Sequence, residues 1–425
     1  HYASADCTIA QADKAELVAN STCKQELGAH LFGVAKAAVR AAREIVVLTN
    51  RLPALYPSDR KEVERPAPRS GYYAWQNDLA AKAALIAGDQ DSVNRGTFAV
   101  LCADTGTGKT RGALRLASIL CGENMRVSLL LGLRTLTLQA GDAYIKDFKV
   151  PSEAVSVLIG SKEIRKLHHA ANHNNDAVEK LDDDFDPIIF GGQDYAGILP
   201  KILDHKCKRI DDQKLVCAPI LVSTIDYVIG AGSWSRSHYL LPMLRVLSAD
   251  IILDEIDSYD LNDYPAISRL CFLAGLFGRR VILSSATTMP EIFAPLFEAY
   301  QKGWQSYSAL AGIRNQVDVL FSADCVPTER HIVNSCAPAI EAYTEFANRV
   351  AQALRQKLIL RRGSILPIDE TKYKDLRRAL CPVIWRLHKD NSVVTASGKH
   401  VSAGLIPHGS HARSAGFCCQ AGRST

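Results

Sequence analysis

Long apolar runs are missing from this chain of 425 residues. No uncharged apolar stretch approaches the ~18 residues that a membrane-spanning helix needs. A strong charge excess is also missing, because 50 basic residues oppose 45 acidic ones, and the net charge of +5 permits a polyanionic partner without requiring one. Internal repeats are not evident, and the hydrophobic share of 47% excludes wholesale disorder and the fibrous classes.

An initial methionine and a signal sequence are missing as well. The chain begins with His1, so we expect it to start inside a larger protein. Its 12 cysteines are scattered, several of them in apolar segments, which is unlike the disulfide framework of a short secreted chain. The expected setting is therefore a reduced, cytoplasmic protein with no membrane partner.

Apolar periodicity divides the chain into regions. Residues 1–50 have the spacing of a helix, and the proline-rich stretch 51–71 is predicted to be a linker. From residue 72 to about 303, short apolar strands alternate with helical segments, which predicts an α/β domain with a largely parallel sheet and helices on both faces. Residues 304–400 are predicted to be mostly helical, and the tail 407–425 to be unstructured. The strands of the α/β domain are predicted at 97–102, 127–133, 155–159, 220–223, 250–253 and 281–284.

Two polar regions leave more than one interpretation open. The insert 162–187 contains three histidines and a run of aspartates, which could bind zinc but fit no compact ligand spacing, so a solvated surface insertion is the main alternative. The stretch 337–390 is rich in arginine and lysine, which is common both on a solvated helix face and on a surface that contacts nucleic acid.

The strongest motif is a glycine-rich loop between a predicted strand and a predicted helix, with the sequence ADTGTGKT at residues 103–110 (the phosphate loop). Glycines let successive backbone N–H groups turn toward an anion, and the following helix N-terminus adds partial positive charge. We expect Lys109 to reach the β- and γ-phosphates of a nucleotide and Thr110 to ligate Mg²⁺. The residues expected to hold the nucleotide here are Thr105, Gly106, Thr107, Gly108, Lys109 and Thr110.

Two further motifs end predicted strands of the same domain. Asp254 and Glu255 (the acid pair) follow an apolar run, where Asp254 would share the metal with Thr110 and Glu255 would activate water. Residues 284–287, Ser-Ser-Ala-Thr (the SSAT block), end the next strand, and their hydroxyl groups could sense the terminal phosphate or bond to the acid pair.

Three weaker signals accompany these motifs. Gln76 precedes the phosphate loop by about 30 residues, where its amide could read the adenine edge or simply start a helix. The blocks 132–139 and 223–226 each leave a strand for a helix, so their polar residues could contact a nucleic-acid backbone or cap the helix. The candidate nucleic-acid contacts are Arg134, Thr135, Gln139 and Thr224.

In this order the blocks resemble those of superfamily 2 helicases. Four longer strings are similar to the CRISPR-associated helicase-nuclease of type I systems, subtype I-F; they lie at 132–144, 218–229, 249–270 and 273–303. The resemblance implies that 72–303 is the first of two RecA-like domains and that 401–406 opens a truncated second one. It also implies that 1–50 is the C-terminal helical remnant of an HD-type nuclease domain. The resemblance stops after Ile406, which predicts a frame-shifted tail at 407–425.

The resemblance further implies a function. Members of that family use ATP and Mg²⁺ to move in the 3′-to-5′ direction along single-stranded DNA, in antiviral defence, after recruitment by an RNA-guided CRISPR surveillance complex. Their nuclease ligands would lie upstream of this chain and their arginine finger in the missing part of the second domain. The resemblance also implies that Ser285, Ala286 and Thr287 couple hydrolysis to grip on DNA. The chain is therefore expected to bind ATP and hydrolyse it poorly. An RNA-dependent helicase of another pathway and a non-catalytic nucleotide-binding remnant are the alternatives.

Overall fold

The chain divides into two units, His1–Lys357 and Leu358–Thr425. The computed structural model describes residues 26–132, 150–159, 188–191, 210–232, 240–259, 261–356, 373–394, 400–406 and 415–420. Within this part of the chain, none of the helices combines the length and apolar character that a bilayer span requires.

Helices and strands alternate in the larger unit, as the apolar pattern predicts. Its helices are α1 (Leu27–Arg51), α2 (Pro57–Val63), α3 (Trp75–Ala87), α4 (Lys109–Cys121), α5 (Ile210–Cys217), α6 (Asp226–Ile229), α7 (Leu240–Ser248), α8 (Tyr264–Leu276), α9 (Pro290–Ala311) and α10 (Cys336–Gln356). Its strands are β1 (Gly96–Cys102), β2 (Val127–Leu131), β3 (Val155–Ile159), β4 (Ile188–Gly191), β5 (Ile220–Thr224), β6 (Asp250–Asp254), β7 (Val281–Ser285), β8 (Val317–Ala323) and β9 (Glu329–Val333). All six strands predicted from the sequence are confirmed.

These strands form one sheet in the order β4-β3-β5-β2-β6-β7-β1-β8-β9. Neighbours are parallel except at the two outermost pairs, β3–β4 and β8–β9. Since parallel strands all run the same way, the C-terminal ends of β1, β6 and β7 meet at one edge of the sheet. The α/β, RecA-like fold is thus confirmed, and the motifs that follow these three strands come together.

Helices cover both faces of the sheet. Successive side chains of β1 point to opposite faces, so Phe98 and Val100 pack in a core with α8, α9 and α10, whereas Ala99 and Leu101 pack in a core with α3 and α4. Every residue of β1 is buried, as is typical of a central strand in a parallel sheet. The phosphate loop therefore follows a strand that is packed on both sides.

Two glycines let α8 and α9 cross in direct backbone contact. A methyl group on Gly275 would lie 2.2 Å from the carbonyl oxygen of Tyr300, and one on Gly303 would lie 2.0 Å from that of Phe272. A side chain at either position would force the helices apart. Because α9 begins at Pro290, this crossing anchors the segment that follows the SSAT block.

The stretch 51–71 contributes buried side chains to the larger unit, so the prediction of a linker there is wrong. Leu52, Leu55 and Val63 are buried, and the backbone N–H of Leu55 donates a 3.0 Å hydrogen bond to the carbonyl of Met125. Pro57 opens α2, where its missing N–H costs no helical hydrogen bond. The prolines therefore shape this stretch without unfolding it.

The sheet continues past residue 303, where the sequence predicted the domain to end. Helix α9 runs through that position, and β8 pairs with β1 from Gly96↔Val317 to Cys102↔Ala323. That boundary is wrong, because the region 304–400 supplies a strand next to the one that precedes the phosphate loop. The helical part of the prediction for 304–400 is confirmed at α10 and at α11 (Tyr373–Asn391) of the smaller unit.

The smaller unit contains α11 and a three-stranded antiparallel sheet. Its strands are β10 (Val393–Val394), β11 (His400–Ile406) and β12 (Ala415–Gln420), in that order. Strand β11 confirms the strand predicted at 401–406. Strand β12 lies within the tail predicted to be unstructured and pairs with β11 from Val401↔Gln420 to Ile406↔Ala415, so that prediction is wrong for residues 415–420.

Candidate nucleotide-binding site

The phosphate loop joins β1 to α4 at the C-terminal edge of the sheet. Gly106 and Gly108 have φ angles of 85° and 74°, in the left-handed region where a side chain is unfavourable. At Gly108 space is lacking too, since a Cβ atom would lie 2.6 Å from Nε2 of Gln76. Asp104, Thr105 and Gly106 are exposed, so the loop presents its backbone to solvent.

Internal hydrogen bonds fold the phosphate loop. The backbone N–H of Thr107 donates to the carbonyl of Asp104 at 3.2 Å, and the hydroxyl of Thr107 donates to the same carbonyl at 2.6 Å. The amino group of Lys109 lies 2.9 Å from the carbonyl oxygen of Ala103. Lys109 is therefore positioned across the base of the loop, as expected for a residue that neutralises phosphate charge.

The acid pair lies beside the first turn of α4. Asp254 ends β6, and its Oδ2 accepts a 2.9 Å hydrogen bond from the hydroxyl of Thr110. Hydroxyl and carboxylate oxygens are the ligand atoms that Mg²⁺ prefers, so the side chains of Thr110 and Asp254 fit this ion. The structure thus brings together Lys109, Thr110 and Asp254 as the sequence predicts.

Glu255 has a strained backbone. Its φ of 53° and ψ of 47° are in the left-handed region. Among the described residues other than glycine, Glu255 alone has a positive φ. Such a conformation costs of order 1–3 kcal/mol and is concentrated at functional sites. The backbone N–H of Glu255 donates to Oδ1 of Asp254 at 3.0 Å.

The pKa of Glu255 is raised above its ordinary value. Burial disfavours the charged form, the negative charge of Asp254 adds to this effect, and the positive charge of Lys109 partly offsets it. A carboxylate with a raised pKa is a stronger base than an ordinary one. The environment therefore suits Glu255 to accept a proton from water.

The SSAT block lies between the phosphate loop and the segment after the acid pair. The N–H of Ala103 donates to the carbonyl of Ser285 at 3.3 Å, and the N–H of Thr287 donates to Oγ of Ser285 at 3.1 Å. The hydroxyl of Thr287 donates to Oδ2 of Asp257 at 3.0 Å. The sequence left two roles open for this block, sensing the terminal phosphate or bonding to the acid pair. The carboxylate that Thr287 contacts is Asp257, which follows the pair in the same DEID string, and phosphate sensing stays a prediction. Ala286, between Ser285 and Thr287, is half-buried.

A tyrosine from beyond residue 303 also reaches this site. The hydroxyl of Tyr343, on α10, donates to the carbonyl of Thr288 at 2.9 Å and lies 3.3 Å from the thiol sulfur of Cys102. It thereby joins the end of β1 to the residue after the SSAT block. Sequence reasoning missed Tyr343, because 241 residues separate it from Cys102 and no local pattern marks it.

Gln76 lies against the phosphate loop, with its side chain buried. Its Nε2 donates to the carbonyls of Thr107 at 3.2 Å and Gly108 at 3.1 Å. Its Oε1 is buried and accepts no hydrogen bond within the described part of the chain. The expectation that Gln76 belongs to the nucleotide site is consistent with this position, while direct reading of adenine stays a prediction.

The candidate nucleic-acid contacts are less well placed. Thr224 is 1% exposed at the end of β5, and its hydroxyl has no hydrogen-bond partner among the described residues, so it does not cap α6. Its contact with nucleic acid stays a prediction. Arg134, Thr135 and Gln139 lie outside the described residues, as does the histidine-containing insert 162–187. Within the described ranges no group of three or more His, Cys, Asp or Glu side chains could hold a metal ion.

Comparison with known proteins assigns the chain to a family. No protein-family profile matches it. A Cas3 nuclease/helicase of subtype I-F/YPEST from Pectobacterium atrosepticum is 31% identical over 406 residues, 90% of this chain and 36% of that protein. The protein of the same name from Pseudomonas aeruginosa is 34% identical over 299 residues, 68% of this chain and 27% of that protein.

Among solved structures, T. fusca Cas3 with ADP has 20% identity to this chain and a TM-score of 0.41, over 61% of this chain and 26% of that one. So low a TM-score adds nothing to the assignment, which rests on the two curated relatives. The chain spans about a third of the length of those relatives. The similarity to both relatives covers most of this chain. The chain therefore belongs to the CRISPR-associated nuclease/helicase family Cas3, subtype I-F/YPEST.

Proposed function

We propose that this chain forms the nucleotide-binding part of an ATP-driven translocase that moves along single-stranded DNA in CRISPR interference. The observation that carries the proposal is the 2.9 Å hydrogen bond between Thr110 and Asp254, which unites a phosphate loop and an acid pair in one site. Family membership supports it, since both relatives are named nuclease/helicase. The nuclease activity in that name is assigned to a part of such proteins outside this chain.

Each residue of the site has its own role in this proposal. The backbone N–H groups of the phosphate loop and the amino group of Lys109 hold the β- and γ-phosphates of ATP. Thr110 and Asp254 would hold Mg²⁺, which when bound neutralises phosphate charge. Glu255 orients the attacking water and accepts its proton, a role that its raised pKa favours.

The SSAT block would couple hydrolysis to grip on DNA. The carbonyl of Ser285 accepts a hydrogen bond from Ala103 of the phosphate loop, and Thr287 is bonded to Ser285 and Asp257, so a change of charge at the nucleotide would reach this block through direct contacts. Arg134, Thr135 and Gln139 are assigned to the DNA strand on the sequence pattern alone. Recruitment by an RNA-guided CRISPR surveillance complex is part of the same proposal and follows from family membership.

Calorimetric titration of the purified 425-residue chain with ATP and Mg²⁺ tests the nucleotide site. We expect saturable binding that Lys109→Ala weakens roughly 10- to 100-fold, because hydrogen bonds to charged groups contribute about 1.5–3 kcal/mol. Lys302→Ala is the matched control, since Lys302 is an exposed lysine paired with Glu298 on α9. Equal affinity of the Lys109 variant and the parent would contradict the proposal.

Fluorescence anisotropy with labelled oligonucleotides tests the nucleic-acid partner. We expect the chain to bind single-stranded DNA more tightly than single-stranded RNA of the same sequence, with an affinity that changes when a non-hydrolysable ATP analogue is added. Preference for RNA would favour a helicase of another superfamily 2 pathway. Binding of ATP without any effect on either oligonucleotide would favour a nucleotide-binding protein that does not act as a motor.

A further inference from the structure

The start of α3 holds two consecutive carbonyl groups of the phosphate loop. Nε1 of Trp75 donates to the carbonyl of Thr107 at 3.1 Å, and Nε2 of Gln76 donates to the same carbonyl at 3.2 Å. Nε2 of Gln76 also donates to the carbonyl of Gly108 at 3.1 Å. Three hydrogen bonds from two adjacent side chains, here named the loop clamp, therefore turn these carbonyls toward α3.

Fixing the carbonyls also fixes the N–H groups on the far side of the same peptide planes. In a trans peptide the C=O of one residue and the N–H of the next point in opposite directions, and the described residues contain no cis peptide bond. The clamp on Thr107 therefore directs the N–H of Gly108 away from α3. The carbonyl of Gly108 also accepts a hydrogen bond from the N–H of Gly112 at 2.9 Å, so the clamp and the first turn of α4 together direct the N–H of Lys109. Such outward N–H groups are what a phosphate loop and a helix N-terminus offer to an anion.

The loop clamp is itself held by α4. The ring of Trp75 packs against Gly112, where an added Cβ atom would lie 2.7 Å from the ring. Nη1 of Arg115 donates to the carbonyl of Gln76 at 3.2 Å and to Oδ1 of Asn77 at 2.9 Å. Trp75 and Gln76 are both buried, so their contacts with the phosphate loop are shielded from water.

We propose that Trp75 and Gln76 are positioning residues that hold the phosphate loop in its anion-binding shape, and that they act on the phosphates whatever base the nucleotide carries. The proposal rests on the proposed nucleotide-binding function and deepens it. It differs from base reading by Gln76, because the donor end of that amide is engaged by the loop and its Oε1 is buried. Trp75 adds a contact that the sequence pattern did not single out.

Trp75→Phe tests this proposal, since it removes the indole N–H and keeps an aromatic ring. Affinities of the full chain for ATP, GTP and inorganic tripolyphosphate, each with Mg²⁺, are measured by calorimetry. We expect Trp75→Phe to weaken all three by a similar factor, roughly five-fold, as for the loss of one hydrogen bond. Tripolyphosphate separates an effect on the phosphates from an effect on the base, because it has no base.

Trp304→Phe is the matched control. Trp304 is also buried, but its indole N–H has no hydrogen-bond partner within the described residues. The smaller ring of phenylalanine should leave space in the core and lower the melting temperature, without a selective loss of phosphate affinity. Equal weakening of the three ligands by both variants would assign the effect of Trp75 to general destabilisation and overturn the proposal. So would unchanged affinity in a folded Trp75→Phe chain.

Gln76→Leu gives a second, independent measurement if Trp75→Phe does not fold. We expect it to weaken ATP, GTP and tripolyphosphate together, and by more than the tryptophan variant, since two hydrogen bonds are lost. Loss of affinity for ATP alone would show base reading and overturn the proposal. Failure of the parent chain to bind any of the three ligands would instead refute the proposed function, so the two failures are distinguishable.

Discussion

The hydroxyl of Thr110 donates a hydrogen bond of 2.9 Å to Oδ2 of Asp254, although 144 residues of sequence separate them. Strand β7 lies between β1, which leads to Thr110, and β6, which ends at Asp254. The bond therefore joins elements that are not neighbours in the sheet. Through this contact the phosphate loop and the acid pair form a single site, and one residue from each motif, Thr110 and Glu255, gives a testable expectation.

Thr110→Val should weaken the Mg²⁺-dependent part of ATP binding. Valine keeps the shape of threonine but has no oxygen to offer a metal, so we expect about 10-fold lower affinity with Mg²⁺ and no change when the metal is chelated. Calorimetric titrations with and without Mg²⁺ measure both values. Thr344→Val, which removes an exposed hydroxyl on α10, serves as the control. An equal loss with and without Mg²⁺ would argue against a metal ligand at residue 110.

Glu255→Gln should separate binding from hydrolysis. Glutamine fits the same strained position but cannot accept a proton, so we expect ATP affinity to be kept and turnover to fall roughly 10²- to 10⁴-fold. Because the parent chain is expected to hydrolyse ATP slowly, turnover is measured in single-turnover assays with the protein in excess over ATP. Glu291→Gln, in the exposed first turn of α9, is the control. Unchanged turnover in the Glu255 variant would favour a site that binds nucleotide without catalysis.

Asp250 should make the stability of the fold depend on pH. Burial raises its pKa, but the charges of Arg280 and Arg279 and the hydrogen bonds from the Arg280 N–H and the Cys121 thiol outweigh burial, so the pKa is lowered. A carboxyl group whose pKa is lower in the folded state stabilises the fold above the pKa of the unfolded state. That contribution is lost as the pH falls through the folded pKa.

Asp250→Asn tests this dependence. We expect it to lower the free energy of unfolding by about 1.5–3 kcal/mol near neutral pH, since it removes charged hydrogen bonds to Arg280. The difference from the parent should begin to shrink as the pH falls below the ordinary pKa of an aspartate, where the unfolded parent takes up a proton. It should be smallest below the lowered pKa of the folded state, where the folded carboxyl is neutral too. Urea unfolding at a series of pH values measures it, and a difference that stays constant with pH would refute the role.

Truncation should show where the larger unit ends. A chain that stops at residue 303 lacks β8, whose seven residues are all buried, and cuts α9 in the middle. We expect such a chain to aggregate, whereas a chain that stops at residue 356 should unfold cooperatively on heating. Soluble yield and thermal melting compare the two. Binding of ATP by the shorter chain with the parent's affinity would contradict this expectation.

The order of the motifs could be predicted from the sequence because each one follows an apolar strand at its C-terminal end. Strand β8 could not, and the reason is Asp318. Its side chain is fully buried in the middle of the strand and bonds to Nε of Arg95 at 2.8 Å and to Nε of Arg330 at 2.7 Å. A charge inside the sequence VDVLFSA weakens the apolar pattern, and its partner Arg95 is 223 residues away.

The loop clamp illustrates the same limit within the site. The position of Gln76 ahead of the phosphate loop predicts proximity to a nucleotide, and in the structure its side chain contacts that loop. Which group its amide bonds to depends on the packing of α3 against α4, and Trp75 joins it only because Gly112 leaves room for the ring. Such a contact depends on two helices at once and leaves no periodic signal in either.

The position of β1 has a consequence for how the protein is made. Its partners in the sheet are β7 and β8, and the first of these begins at Val281, about 180 residues after β1 ends. At a synthesis rate of about 5–20 residues per second, the ribosome needs roughly 10 to 40 s to deliver that partner. Throughout this interval a strand whose residues are all buried in the folded protein has no partner on the nascent chain, so we expect chaperones to shield this segment.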